Sequence, residues 1–213
     1  LAPSKFIPAC EANGFICIID FYVLEEVCKK LSEWKKEGKN LVKVSVNFSR
    51  RHLGTPEFVD RLIEVVKLYG LHPSNIEIEL TESVAYDEID TLLNVMHRIK
   101  EAGFGLSMDD FGSGYSNFRY LFNLSPHALK VDRTFTAKAI SNEQEYSLLR
   151  QMVEMSHSIN LKMCIEGVET KEELNKICMM HPDYIQGFYF GRPCPIDEFV
   201  EKYKDHVFTA EER

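Results

Sequence analysis

The stretch GLSMDDFGSG, residues 105–114, joins a short β-like run to two consecutive aspartates and a glycine-containing turn. Leu106 and Met108 alternate with Ser107 and Asp109, so apolar side chains face one way and polar side chains the other. A strand that ends in a chemical group and leads into a helix is the unit of a (β/α) barrel, whose active site forms at the carboxyl ends of the strands. Five other runs share this form and end at Asn47, Glu79, Lys130, Glu166 and Gln186.

These patterns predict the elements of the whole chain. Strands are predicted over 41–47, 76–81, 105–110, 128–130, 161–166 and 184–186. Helices are predicted from a cap at Ser4 to Asn13, from a cap at Asp20 to Glu37, and over 57–69, 87–102, 116–122, 142–159, 170–180 and 196–204. We therefore predict an α/β fold, a TIM-like (β/α) barrel with about six βα repeats that forms a single domain over 1–213. Its first strand is expected upstream of Leu1, so the domain is predicted to be N-terminally truncated.

Composition excludes several classes of protein. The net charge of −8 argues against a surface that coats DNA, because such surfaces need basic stripes. No signal peptide is recognisable, and no apolar run approaches the roughly 18 residues of a membrane span. The six cysteines are widely spaced without a zinc pattern, which favours reduced thiols. We expect a cytoplasmic domain, with any membrane tether supplied by other parts of a longer protein.

The carboxylates at the strand ends predict a metal site. Two divalent ions about 3.5–4 Å apart need a bridging carboxylate and further oxygen ligands, and Asp109 is the natural bridge. Hard oxygen ligands without clustered His or Cys favour Mg²⁺ or Mn²⁺ over zinc. The histidines do not end strands beside carboxylates, so no histidine base is expected. For Glu82 or Asp110 taken alone, a solvated strand end or a helix cap is the simpler interpretation.

Lys130 lies on the polar face of its run and is predicted to project toward the same end of the barrel as the carboxylates. There it can hold a metal-bound water or stabilise charge on a phosphoryl oxygen. An ion pair with Glu79 or Asp132 is the competing interpretation. Gln186 offers an amide beside Gly187, where the lack of a side chain permits close approach of a ligand.

Seven stretches of the chain closely resemble the EAL-domain family, the cyclic di-GMP phosphodiesterases of bacteria. Together they run nearly end to end in the order of the family. They are FIPACEANGFI (6–16), VSVNFS (44–49), EIELTES (77–83), MDDFGSGYSN (108–117), LKVDRTF (129–135), IEGVET (165–170) and QGFYFGRP (186–193).

The resemblance implies a TIM-like (β/α)8 barrel that hydrolyses cyclic di-GMP to linear pGpG. It also implies a requirement for two metal ions, Mg²⁺ or Mn²⁺. It implies that Asp109 bridges these ions, that Lys130 contacts the attacking water and that Glu82 orders the DDFGSGYS loop. The metal ligands would be Asn47, Glu79, Asp109, Asp110 and Glu166, and the catalytic residues Lys130, Glu82 and Glu166. The substrate-binding residues would be Phe6, Ile7, Pro8, Ser49, Asp132, Glu169, Gln186, Gly187 and Pro193, with Phe188 also near the guanine bases.

The resemblance also implies a homodimer and, by family habit, an upstream sensory or cyclase-like domain in the parent protein. One departure matters: the Glu-Ala-Leu motif of the first strand, which supplies another metal-ligating glutamate, does not occur in this chain. The alternative function is an inactive receptor that binds cyclic di-GMP and regulates a neighbour. Receptors of this family usually lose several metal ligands, and the enzyme is favoured because the chain keeps all of the following residues: Asn47, Glu79, Asp109, Asp110, Lys130 and Glu166. A scaffold domain is a third alternative, but it leaves the retained acidic residues unexplained.

Overall fold

The structure, a computed structural model, describes residues 3–81, 89–112 and 126–203. In these ranges six strands form one parallel sheet, and their order across the sheet is their order in the chain. The strands are β1 Val44–Phe48, β2 Ile76–Thr81, β3 Gly105–Phe111, β4 Ala128–Val131, β5 Lys162–Ile165 and β6 Tyr184–Ile185. The helices are α1 Pro3–Asn13, α2 Ile16–Lys36, α3 Phe58–Leu68, α4 Ile89–Glu101, α5 Arg133–Ser141, α6 Glu143–Ser158, α7 Lys171–Cys178 and α8 Ile196–Tyr203, with 3-10 turns at Arg50–Gly54 and Pro73–Asn75.

The order of the sheet confirms the predicted fold class. Each strand pairs in parallel with the next strand in the chain, and helices lie between most neighbours, as in the wall of a TIM-like barrel. All six carboxyl ends therefore lie at one edge of the sheet. The register places Asn47 beside Glu79, Thr81 beside Asp109, and Lys130 beside Cys164.

Alternation along the strands separates the core from the site. On β2, Ile76, Ile78 and Leu80 are buried in the apolar core that strands and helices share. Glu79 on the opposite face is also buried, at 4% exposure, although it is charged. Buried charges are rare unless they are paired, so this face carries a structured polar cluster rather than a solvated surface.

The second helix differs from its prediction. It begins at Ile16 rather than at Asp20, because the apolar residues before Asp20 already follow the helical spacing. Phe15 precedes the helix without a side-chain cap, and Asp20 lies inside it, where its carboxylate turns to the segment after β1. The predicted cap at Asp20 is therefore wrong.

A helix was missed after β4. The side chain of Asp132 accepts hydrogen bonds from the backbone N–H groups of Thr134 and Phe135 and so caps α5. The helix predicted over 170–180 is found as α7, and Thr170 caps it in a capping box with Glu173. The predicted helix over 116–122 and the start of the one over 87–102 lie outside the described residues.

The length and polarity of the helices bear on membrane insertion. No single helix in the described ranges is long and apolar enough to cross a membrane; Lys5–Asn13 and Ile16–Lys36 meet the criterion only as a pair, across a bend of 115°.

Candidate active site

Three carboxylates from three strand ends converge on one ammonium. Lys130 Nζ on β4 donates a hydrogen bond to Glu79 Oε2 on β2 at 2.8 Å. It also lies 2.7 Å from Glu166 Oε1, just after β5, and 3.7 Å from Asp109 Oδ1 on β3. The contacts with Glu166 and Asp109 are ion pairs. Four strand ends that are distant in sequence thus supply one cluster, as the sequence predicts.

The cluster has more negative charge than Lys130 can neutralise. Three carboxylates and one ammonium give a formal charge of −2. Burial by itself would lower the pKa of Lys130, but Glu79 and Glu166 outweigh that effect, and the pKa is raised. Burial raises the pKa of Glu166, Lys130 opposes this, and the nearby charges of Asp109 and Glu79 add to the rise. Lys130 therefore stays protonated while the cluster retains an excess of negative charge that attracts cations.

The end of β3 is bent at the two consecutive aspartates. The pairing of β3 with β4 shifts between Met108 and Phe111, so two residues of β3 oppose one of β4. Asp110 has a φ of 56°, a left-handed conformation that aspartate tolerates better than most residues. Its backbone N–H donates to Asp109 Oδ1 at 2.9 Å, which orients the Asp109 carboxylate. The bulge explains how both aspartates reach the rim of the sheet.

Asn47 lies at the same level as Glu79, because the two residues are register partners on adjacent parallel strands. Its side chain is exposed at the end of β1. Ser49, two residues further on, receives contacts from both N-terminal helices. Its N–H donates to Asp20 Oδ2 at 2.9 Å, and its hydroxyl lies 3.5 Å from Glu11 Oε1. The structure thus places Asn47 beside the cluster, and Ser49 at the link to α1.

The other predicted residues lie at the rim. Glu169 pairs with Arg133 at 2.9 Å, and Gln186 follows β6 with its side chain exposed. Gly187 packs so closely on the backbone of Val168 that a Cβ atom would overlap it, so the chain itself needs glycine there. Pro193 is exposed, Phe6 and Ile7 are half-buried in α1, and Pro8 is exposed there. Glu82 lies outside the described residues. Substrate binding by this set stays a prediction.

The donors suit a hard cation. Carboxylate oxygens from Glu79, Asp109 and Glu166 surround one point, which is the ligand chemistry that Mg²⁺ and Mn²⁺ prefer. As the side chains stand in residues 3–81, 89–112 and 126–203, no group of three or more His, Cys, Asp or Glu residues is arranged to hold an ion. The Lys130 ammonium lies where the carboxylates meet, and cation binding would require these side chains to part.

At the level of the cluster, the neighbouring strands also carry small polar groups that the sequence interpretation did not single out. Ser107 is the register partner of Glu79, and its fully buried hydroxyl has no hydrogen-bond partner within the described residues. Cys164 is the register partner of Lys130, and burial together with the nearby charge of Glu166 raises its pKa to about 12. All six cysteines are free thiols, and two of them, Cys28 and Cys164, are buried.

A buried histidine was also missed. The side chain of His52 is in contact with Asp20, with Nε2 at 2.9 Å from Oδ2. The partners lie 32 positions apart in the sequence, so no local pattern reveals the pair. The aromatic residues Phe48 and Phe58 that flank His52 were the only signal that it belongs to the core.

The chain matches one protein family over most of its length. A sequence profile of the EAL domain matches residues 1–193. The cyclic di-GMP phosphodiesterase NbdA of Pseudomonas aeruginosa is 34% identical over 207 residues, which cover 96% of this chain and 26% of that protein. MucR of the same organism, a bifunctional diguanylate cyclase/cyclic di-GMP phosphodiesterase, is 31% identical over 200 residues, 94% of this chain and 29% of that protein. The chain therefore spans less than a third of the length of these relatives.

The fold of this chain is similar to that of a solved structure. The PaMucR phosphodiesterase in complex with c-di-GMP superposes with a TM-score of 0.87 at 31% identity, covering 93% of this chain and 81% of that chain. The parallel sheet and its surrounding helices are therefore those of an EAL-type, TIM-like barrel.

Proposed function

The chain belongs to the EAL-domain family, and we propose that it is a metal-dependent phosphodiesterase that hydrolyses cyclic di-GMP to linear pGpG. The observation that carries this proposal is the convergence of Glu79, Asp109 and Glu166 on Lys130 at the carboxyl ends of neighbouring strands. NbdA and MucR, which are similar over nearly the whole chain, are cyclic di-GMP phosphodiesterases.

We propose Asn47, Glu79, Asp109, Asp110 and Glu166 as the residues that hold Mg²⁺ or Mn²⁺. Two such ions, when bound, would supply Lewis-acid activation of water and neutralise charge on the phosphate. Asp109, fixed by the N–H of Asp110, is proposed to bridge them.

The chain's own residues account for the rest of the chemistry. Lys130, whose raised pKa keeps it protonated, orients the attacking water and stabilises negative charge on the phosphoryl oxygen. Water adds to phosphorus, the bond from phosphorus to the 3′ oxygen breaks, and a 5′-phosphate and a 3′-hydroxyl result. Phe6 and Ile7 on α1 are proposed to contact a guanine base, and Ser49 a phosphate.

Incubation of the 213-residue chain with cyclic di-GMP and Mg²⁺ or Mn²⁺, followed by chromatography, tests the proposal. We expect linear pGpG above the level of a blank without protein. Recovery of cyclic di-GMP unchanged, with no binding, would contradict it.

A binding-only module is the second candidate, and one observation favours it. In the described residues the Lys130 ammonium lies among the three carboxylates, and the donors are not arranged around an ion. A receptor needs only the pocket and not the ions. Calorimetry distinguishes the two candidates, because tight binding of cyclic di-GMP with the ligand recovered intact would identify a receptor.

Partners of the whole protein are also proposals. MucR carries a diguanylate cyclase activity beside its phosphodiesterase activity, which supports a sensory or cyclase-like neighbour for this chain as well. We further propose a homodimer, which sedimentation of the chain would test. A cytoplasmic location remains a prediction.

A further inference from the structure

A buried carboxylate in α2 holds the segment that follows β1. Asp20 Oδ2 accepts a hydrogen bond from the Ser49 backbone N–H at 2.9 Å. The same oxygen lies 2.9 Å from Nε2 of His52 in the 3-10 turn. Asp20 and His52 are 6% and 3% exposed, so the contact is shielded from water. One carboxylate oxygen therefore joins α2 to two points of the turn.

The surroundings of His52 restrict its ring. It stacks on Phe58 with centroids 4.6 Å apart and planes inclined by 18°. The rings of Phe21 and Phe48 meet it edge-on, each 5.4 Å away. Aromatic walls leave the imidazole little freedom to rotate, and they strengthen its polar contact with Asp20 by excluding water.

The turn is also tied to α1. Arg51 Nη2 donates to the backbone oxygen of Ala12 at 3.2 Å, and the Ser49 hydroxyl lies near Glu11. The backbone of His52 closes the turn by donating to Ser49 O at 3.1 Å. The end of β1 is thus fixed from both sides, with Asn47 two residues before Ser49.

We propose that Asp20 and His52 are a positioning pair that fixes the segment after β1, and through it the place of Asn47 and Ser49 at the site. This role rests on the proposed function, in which Asn47 ligates a divalent cation and Ser49 contacts substrate. The pair acts through the backbone of Ser49 and touches neither cation nor substrate.

Affinity for Mn²⁺ alone, measured by electron paramagnetic resonance of the free ion, tests the pair without turnover. In Asp20→Ala and His52→Phe we expect the dissociation constant for Mn²⁺ to rise on the order of tenfold, as for other outer residues that orient metal ligands. Asp20→Asn keeps an oxygen for the Ser49 N–H, and its affinity should stay within about threefold of the wild type.

Leu24→Ala is the matched control, because Leu24 is fully buried one turn further along α2. It loosens the same helix but keeps the side chains of Asp20, Ser49 and His52, and Mn²⁺ affinity should be unchanged at a temperature where the protein is folded. If Asp20→Ala does not fold, the comparison of His52→Phe with Asp20→Asn and Leu24→Ala carries the test.

Equal losses of Mn²⁺ affinity in Leu24→Ala and His52→Phe would overturn the inference, and so would unchanged affinity in His52→Phe. Failure of Asp20→Asn to restore affinity would also overturn it, since the contact with Ser49 would then not be the cause. A wild-type chain that binds neither Mn²⁺ nor cyclic di-GMP is a different result, which refutes the proposed function itself.

Discussion

Replacement of Lys130 by methionine tests the electrostatics of the site most sharply. Methionine preserves most of the aliphatic volume but removes the only cation seen within 4 Å of Glu79, Asp109 and Glu166 in the described part of the chain. The three carboxylates would then lie together, with side-chain exposures of 5%, 16% and 19% and no compensating charge. We expect the metal-free protein to lose stability.

The size of the loss follows from burial. Removing one partner of a buried ion pair costs about 3–5 kcal/mol, because the remaining charge is left desolvated. For a chain of this length, each kcal/mol corresponds to a midpoint shift of about 2–4 °C, so the melting temperature should fall by roughly 6–20 °C. Divalent ions should restore part of the loss, since they replace the missing positive charge.

The loss should also depend on pH. Without Lys130, which opposes the rise, the pKa of Glu166 in the folded protein should lie further above its usual value, because burial and the charges of Asp109 and Glu79 raise it. The part of the destabilisation that comes from Glu166 is then fully present at neutral pH, and it is relieved as pH falls through the raised pKa and Glu166 becomes neutral.

Denaturant unfolding with EDTA at pH 7.5 and pH 5.0 measures both effects. Lys67→Met, at an exposed position of α3, is the control, and we expect it to change the free energy of unfolding by less than about 0.5 kcal/mol. A loss below about 1 kcal/mol for Lys130→Met, or a larger loss at pH 5.0 than at pH 7.5, would refute the reasoning.

Three further substitutions probe the site and its rim. Asp109→Asn should lower turnover of cyclic di-GMP at least ~100-fold without unfolding the protein, and retained turnover would remove Asp109 as the bridge. Glu166→Gln should lower turnover but leave the metal-free protein at least as stable as the wild type near pH 7.5, because the raised pKa of Glu166 means that its charge opposes folding there. The difference in stability should vanish near pH 4, where Glu166 is neutral. A clear loss of stability in the variant at neutral pH would contradict this. Gly187→Ala should destabilise by about 1–3 kcal/mol through overlap with Val168, as measured by thermal unfolding. Gly54→Ala, where the added Cβ meets open space, is the control, and equal effects in the two variants would exclude the overlap as the cause.

The sheet could be predicted from sequence because its signal is local. On β2, for example, apolar residues at 76, 78 and 80 alternate with Glu77 and Glu79, and the structure places the strand over Ile76–Thr81 as predicted. Parallel strands share one edge, so the meeting of Glu79 and Lys130 follows from the pattern plus the topology. Local alternation thus predicted both the fold class and the strand ends that form the cluster.

What could not be predicted depends on contacts between distant residues. Aspartate is a common helix-capping residue, so the sequence favoured a cap at Asp20. Only the contacts of its carboxylate with Ser49 and His52 show that it binds the segment after β1 instead. The sequence left open whether Lys130 pairs with Glu79 or with Asp132; the structure pairs it with Glu79, and the carboxylate of Asp132 caps α5 instead. Substrate binding by Asp132 stays a prediction. Such choices between several possible partners are decided by packing, which a single sequence does not display.

Hydrolysis in water enriched in ¹⁸O tests the central claim most directly. Mass spectrometry of the product formed by the 213-residue chain with cyclic di-GMP and Mn²⁺ should show pGpG with one ¹⁸O atom in its 5′-phosphate. The signal should disappear in Asp109→Asn. Cyclic di-GMP recovered unlabelled and intact, or a labelled product formed equally well by Asp109→Asn, would contradict the account.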